Sequence, residues 1–177
     1  MHREQWRLLA AYNVWMNKKV YAASSRLSPD ELRQDRKAFF GSIIGTLNHL
    51  AVGDTIWLKR FRAHLPKSAS LESLDPLPAP QQLTQILFDD LQRLAQYREN
   101  LDNVISAWIE TITEEDLGSV MRFKNLKGVE NHRSFAAILL HFFNHQTHHR
   151  GQVIDLLFQA GIDVGVTDLV ALIPDAS

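Results

Sequence analysis

The stretch that decides the fold is "SFAAILLHFFNHQTHHRGQVIDLLFQAG", residues 134–161. No proline interrupts it, and its apolar residues recur every three or four positions, as on one face of an α-helix. Ser134 is a residue type that favours a helix N-cap, and Gly161 is one that favours the position after a helix end. The stretch therefore predicts one long helix with a buried face.

Three other segments have the same periodicity, at about residues 3–27, 42–63 and 81–112. Four long amphipathic helices in a chain of 177 residues predict an all-α four-helix bundle, because each apolar stripe needs the others for its burial. Neither half of the chain could bury its stripes alone. We therefore expect a single domain over residues 1–177.

Two segments separate the predicted helices. Residues 66–80 hold four of the six prolines and predict an ordered surface loop. Residues 118–134 include Gly128 and keep no helical period, so we expect a small hairpin or an irregular excursion before the last long helix. Both segments are predicted to connect helices of the same bundle.

Composition excludes several classes of function. The net charge is −1 and Lys and Arg are scattered, so no basic stripe predicts a nucleic-acid partner. No apolar run reaches the length of a membrane span, and the N-terminus lacks the apolar core of a signal peptide, so we expect a cytoplasmic protein without a membrane partner. The chain has no cysteine, which excludes disulfides, Cys-ligated zinc and a Cys nucleophile.

Four of the eight histidines are crowded into the predicted last helix. A projection at about 100° per residue places His145 and His149 in or beside the apolar arc, and His141 and His148 on the polar side. Residues four apart lie one turn above each other, so the two inward imidazoles can bind one ion. The competing interpretation is a pair of core histidines that only form hydrogen bonds.

A durable metal site needs a third ligand from another helix. Besides a carboxylate, the candidates are the remaining histidines, His2, His49, His64 and His132. We favour His49, because Ser42, Thr46 and Gly53 on its face leave space around the ring. It also projects far from the middle of the apolar arc of its helix, so a rim histidine beside a close helix contact is an equally good interpretation.

Other metal motifs are absent. Gln146 stands where the zinc protease motif HExxH needs its glutamate. Phe142 and Gln146 stand where a ferritin-type ExxH pair would need glutamates. No phosphate-binding glycine loop or nucleophile elbow occurs.

Three segments resemble the DinB/YfiT-like metalloenzyme family, namely "AAYNVWMNKKV" (10–20), "LNHLAVGDTIWLKRF" (47–61) and "HFFNHQTHHRGQV" (141–153). They cover three of the four predicted helices. The resemblance implies a four-helix bundle, commonly a homodimer, with a divalent metal bound by three histidines. Carried onto this sequence, those ligands are His49, His145 and His149, and nickel and zinc both occur in the family.

The resemblance also implies a class of reaction. The family includes thiol-dependent S-transferases and a mycothiol-dependent maleylpyruvate isomerase, so we expect a metal-dependent enzyme that is S-transferase-like. Because the chain lacks cysteine, the thiol would be a cosubstrate of low molecular weight. The alternatives are a metal-dependent hydrolase and a non-catalytic metal-binding bundle that serves in stress response or as a scaffold.

Three polar residues are candidates for supporting roles. Asn13 lies on an otherwise apolar seam, where it would form a structural hydrogen bond or contact substrate. Asp54 projects among leucines and could pair with Arg150 or hold a ligand imidazole. Gln152 projects near His145 and could line the metal cleft.

Overall fold

The computed structural model describes residues 3–77 and 79–175 and is all-α apart from one two-stranded sheet. The elements, in chain order, are α1 (Arg3–Ser24), α2 (Pro29–Arg33), α3 (Ile43–His64), α4 (Leu91–Ile109), α5 (Glu114–Gly118), β1 (Val120–Lys124), β2 (Glu130–Ser134) and α6 (Phe135–Gln159). Short 3-10 turns occur at Ala69–Leu74 and Leu169–Leu172. The predicted all-α bundle is confirmed.

The four long helices are α1, α3, α4 and α6. Each of α1 and α3 packs against both α4 and α6, so α1 and α3 face each other across the bundle. The chain connections from α1 to α3 and from α4 to α6 therefore cross the bundle end. The connection between the neighbouring helices α3 and α4, residues 65–90, is long as well.

Two helix starts follow the sequence signals. The Ser42 side chain accepts a hydrogen bond from the Gly45 backbone N–H, and α3 begins at the next residue. The Ser134 side chain accepts one from the Ala137 N–H and caps α6. Each hydroxyl satisfies one of the N–H groups that a first helical turn leaves without a partner.

The predicted third helix begins later than expected. Residues 81–90 are not helical, and α4 begins only at Leu91, after Asp90 caps it by accepting from the Arg93 N–H. The Asn48 side chain on α3 holds this segment instead. Its Oδ1 accepts from the backbone N–H groups of Leu87 and Phe88, and its Nδ2 donates to the Phe88 carbonyl. These contacts pair three backbone groups of a segment that forms no helix.

Residues 118–134 contain the predicted hairpin. β1 and β2 pair antiparallel, with Val120 opposite Ser134 and Lys124 opposite Glu130. The Asn125 side chain accepts from two backbone N–H groups in the turn, and Gly128 there has a φ of +79°, which suits glycine. Because Arg60 on α3 donates a hydrogen bond to the Lys124 carbonyl, the hairpin tip lies beside α3.

The bundle core consists of two apolar clusters. The first includes Trp6, Phe61, Trp108, Phe135 and Phe142. The second includes Met16, Ile43, Leu47, Leu94 and Leu157. Between them lies a layer of buried polar side chains from all four long helices, called the polar layer here: Asn13, Asn17, Asp54, Arg98, Asp102, Gln146 and Arg150.

The charges of the polar layer are matched. Arg98 donates to Asp54 at 2.6 Å and lies 2.9 Å from Asp102 Oδ1. Burial alone would lower the pKa of the Arg98 guanidinium, but the charges of Asp102 and Asp54 outweigh it and raise that pKa. Two arginines and two aspartates balance, which matters because an unmatched buried charge is expensive.

Amides complete the polar layer. The Nδ2 atoms of Asn13 and Asn17 donate to Asp102 at 3.0 and 2.9 Å. Arg150 donates to the Asn13 side-chain oxygen and, at 3.2 Å, to Gln146 Oε1. Asn13 thereby links α1 to both α4 and α6.

Candidate metal centre

Three histidines from two helices converge beside the polar layer. His49 comes from α3, and His145 and His149 come from successive turns of α6. The Nε2 atom of His49 lies 3.2 Å from the Nε2 atoms of both His145 and His149. Tetrahedral coordination with zinc–nitrogen bonds of about 2.0–2.1 Å separates two ligand nitrogens by about 3.3–3.4 Å. The two distances from His49 are close to this value, and the three residues could hold a metal ion.

Hydrogen bonds fix which nitrogen of two rings carries the proton. His49 Nδ1 lies 2.9 Å from the Leu83 carbonyl, which only accepts, so this nitrogen is the donor. His149 Nδ1 donates to Gln152 Oε1 at 2.8 Å. In a neutral imidazole the other nitrogen then presents a lone pair. Two lone pairs therefore face each other at 3.2 Å, and a cation between them would turn that repulsion into attraction.

Burial keeps the three rings neutral. It lowers the pKa of His145 to about 3, helped by the nearby His149 and His49. Burial also lowers the pKa of His49 to about 4, although the hydrogen bond to Leu83 opposes this. The pKa of His149 is lowered by burial as well. These lowered pKa values favour the neutral rings at neutral pH, which is the state that binds a metal.

Phe40 and two glycines shape the walls of the cluster. The Phe40 ring stacks on His49, with ring centroids 3.8 Å apart, and meets His149 edge-on. A Cβ at Gly53 would lie 2.9 Å from His145 Cε1, and one at Gly45 would lie 2.2 Å from the Phe40 carbonyl oxygen. A side chain at Gly53 would displace the His145 ring, and one at Gly45 would displace the backbone of Phe40.

The other two histidines of α6 are exposed. His148 faces outward, and His141 lies edge-on to Trp57 with ring centroids 5.4 Å apart. A cavity of about 360 Å³ adjoins His145 on this side. It is lined by Gly53, Ile56, Trp57, Arg60, Leu83, Asn125, Leu126, Lys127, His141 and His145. We call it the histidine cavity.

The remaining candidate ligands lie elsewhere. His64 is at the end of α3, where its Nε2 contacts Ser119 Oγ at 2.8 Å beside a separate cavity of about 510 Å³. His132 is exposed on β2. His2 lies outside the described residues. Within residues 3–77 and 79–175, the histidines brought together with metal-site spacing are His49, His145 and His149.

The three supporting residues have different positions. Gln152 contacts the cluster directly, because its Oε1 atom accepts a hydrogen bond from His149 Nδ1. Asn13 forms its hydrogen bonds inside the polar layer. Asp54 pairs with Arg98, which is neither of the partners expected from the sequence.

Sequence reasoning missed Phe40, the Leu83 carbonyl and the Arg98–Asp102 pair. A backbone carbonyl has no sequence signature, and Phe40 lies in a segment without periodicity. Arg98 and Asp102 did leave a signal, because two charged residues four apart interrupt the apolar stripe of the third predicted helix. Charges inside such a stripe predict buried pairing partners on other helices.

In the part of the chain that the structure describes, no helix has both the length and the apolar character needed to cross a membrane.

Comparison with known proteins matches the chain to one family. The sequence model of the DinB family matches residues 1–175. A relative from Bacillus subtilis (strain 168), named Protein DinB, is 26% identical over 165 residues, which cover 90% of this chain and 88% of that protein. No solved structure matches significantly. Because the family match spans nearly the whole chain, this protein belongs to the DinB family.

Proposed function

We propose that His49, His145 and His149 coordinate one divalent ion, nickel or zinc, and that the protein is a metal-dependent enzyme transferring a low-molecular-weight thiol onto an electrophile. The convergence of the three Nε2 atoms carries this proposal. Three neutral ligands leave the ion its full charge, and such an ion supplies Lewis acidity that favours ionisation of a thiol or a water.

The surrounding residues have separate tasks in this proposal. The Leu83 carbonyl and Gln152 orient two of the imidazoles, as outer partners of metal-bound histidines commonly do. Phe40 covers the cluster on one side and keeps water away from His49. The histidine cavity, which His145 lines, is where substrate would enter.

The lining of the histidine cavity favours thiol transfer over hydrolysis. Metal hydrolases of the HExxH type use a carboxylate as general base, and no Asp or Glu lines the histidine cavity. The chain contains no cysteine, so the thiol of this proposal would come from solution as a cosubstrate.

Metal content is the first test. We expect about one divalent ion per chain by elemental analysis, lost in His145→Ala and His149→Ala. His132→Ala is the control, because it removes an exposed histidine far from the cluster. Retained stoichiometry in both cluster variants would reject the ligand assignment.

Turnover is the second test. Nickel- and zinc-loaded proteins are assayed with 1-chloro-2,4-dinitrobenzene and a panel of cellular thiols. We expect thiol-dependent turnover that His149→Ala abolishes and His132→Ala preserves. Hydrolysis of ester substrates without thiol turnover would support the hydrolase, and bound metal without either activity would support the scaffold.

We also propose that this single domain acts as a cytoplasmic homodimer. Light scattering should give about twice the chain mass of 20.2 kDa. A mass equal to one chain at micromolar concentration would contradict the dimer.

A further inference from the structure

Arg60 is a fixed cation in the wall of the histidine cavity. Its guanidinium lies 4.7 Å from the centre of the Trp57 ring and 5.0 Å from that of Phe123. It also donates to the Lys124 carbonyl at 3.0 Å. Two aromatic faces and a carbonyl hold the group in one place, as in sites where arginine binds a planar anion.

This cation has no anionic partner within the described chain. None of the residues lining the cavity is Asp or Glu, and none of the ion pairs among residues 3–77 and 79–175 includes Arg60 or Lys127. By contrast, Arg62 on the same helix and the buried Arg98 each pair with aspartate. Burial lowers the pKa of the Arg60 guanidinium, which means that partial desolvation disfavours its charged form. A bound anion would offset this desolvation.

A second cation faces the same space. Lys127, at the hairpin tip, lines the cavity together with Arg60. The cavity wall thus carries two positive charges without a compensating carboxylate. Its apolar lining, chiefly Ile56, Trp57 and Leu126, would strengthen an ionic contact by excluding water.

The spacing of Arg60 and Gly53 along α3 gives the scale of a ligand that would reach from Arg60 to the histidines. Arg60 follows Gly53 by seven residues on α3, which is about 10 Å along a helix axis. Gly53 lies against His145. A molecule of this length can place a negative group at Arg60 and its other end beside the three histidines.

We propose that the histidine cavity binds the oxyanion group, a carboxylate or a phosphate, of the small thiol that reacts at the metal. The inference rests on the proposed function for the thiol, while the anion site itself rests on Arg60 and Lys127. An acidic thiol about 10 Å long is preferred over a neutral thiol of equal length.

The first experiment tests the anion site without any thiol. The zinc-loaded full chain, labelled with ¹⁵N in its arginine side chains, is titrated with hexanoate, hexyl phosphate and hexanamide. We expect saturable shifts of the Arg60 Nε–H signal with one or both anions and none with the amide. Arg93 is the internal control, because its guanidinium lies over Phe88 at 5.0 Å, outside the cavity. Equal responses of Arg60 and Arg93 would overturn the proposal.

The second experiment tests the coupling to the metal. Cobalt replaces zinc, and absorption of the cobalt–thiolate pair reports binding of 6-mercaptohexanoate and 6-mercaptohexanamide. We expect roughly tenfold tighter binding of the acid, as one charged hydrogen-bonding partner typically provides. Arg60→Gln should abolish this preference, Lys127→Gln should reduce it, Arg60→Lys should keep part of it, and Arg93→Gln should leave it intact.

The two experiments separate the two proposals. A preference for the acid that survives in Arg60→Gln would reject the anion site. Shifts at Arg60 with hexanoate but no cobalt–thiolate absorption would reject thiol binding and keep the anion site. Cobalt–thiolate absorption with equal affinity for 6-mercaptohexanoate and 6-mercaptohexanamide would keep the proposed function and reject the anion site.

Discussion

Gly53 offers the sharpest test of the metal centre, because an added methyl group there would meet one ring of the cluster. In Gly53→Ala the new Cβ would lie 2.9 Å from His145 Cε1. Carbon atoms in contact prefer about 3.5–4.0 Å, so the imidazole must move by about 0.6 Å or more. Metal sites tolerate deviations of only about 0.2 Å in ligand distance. The substitution should therefore impair coordination by His145.

The fold should tolerate the same change. Alanine is favoured over glycine within a helix by up to about 1 kcal/mol, and the displaced group is the end of a side chain. We expect metal-free Gly53→Ala to unfold in urea at the wild-type midpoint or slightly above it. Zinc affinity, measured by competition with a chromophoric chelator, should fall about 10- to 100-fold, as when a supporting contact of a ligand is lost.

Gly151→Ala is the matched control. It makes the same chemical change within α6, where a Cβ would have nothing within 4 Å. Its zinc affinity should equal that of the wild type. Equal affinities in Gly53→Ala and Gly151→Ala would refute the reasoning, since His145 could then not be a constrained ligand.

Three further predictions concern the metal-free fold and the ligand contacts. The pKa values of His49 and His145 are lowered to about 4 and about 3 from 6.5, so the unfolded state binds more protons in acid. Metal-free protein should lose stability as pH falls from about 6.5 toward 4, by at most about 1.4 kcal/mol per pH unit for each ring, and urea titrations of His145→Gln should show a shallower loss. Arg98→Met leaves two buried aspartates without their cation and should cost about 3–5 kcal/mol in thermal or urea unfolding; a cost below about 1 kcal/mol would contradict the matched-charge argument. Gln152→Leu removes the acceptor of His149 Nδ1 and should weaken zinc binding about 10-fold or more at unchanged metal-free stability, whereas unaltered affinity would show that Gln152 does not orient the ring.

The parts of the fold that depend on local sequence pattern could be predicted from the sequence. Ser42 and Ser134 marked two helix starts, because capping is a contact between residues three apart. The projection of the last helix separated His145 and His149 from His141 and His148, and the structure buries the first pair more than the second. These inferences needed only the helical period.

The parts that the sequence did not reveal depend on contacts between distant segments. Leu83 and Leu87 keep helical spacing, yet Asn48 holds their segment in an irregular path. The partner of Asp54 depended on which helices are neighbours, and α4 rather than α6 supplied the arginine. The resemblance to a known family selected His49 among the candidate third ligands. The position of its ring relative to His145 and His149 could not be predicted, because it depends on how α3 is rotated against α6.

The polar layer has a consequence for how the helices are aligned. On α6, two residues of the polar layer directly follow two histidines of the cluster in the chain: Gln146 follows His145, and Arg150 follows His149. On α3, Asp54 follows Gly53, which packs against His145. If one helix slid by a turn, a buried charge would face leucines, an error far costlier than sliding between two apolar surfaces. The polar layer therefore fixes the axial positions of all four long helices. Asp54 on α3 pairs with Arg98 on α4, and Asn13 on α1 joins Asp102 on α4 to Arg150 on α6. By fixing these positions, the polar layer also sets the spacing of the three imidazoles before any ion arrives.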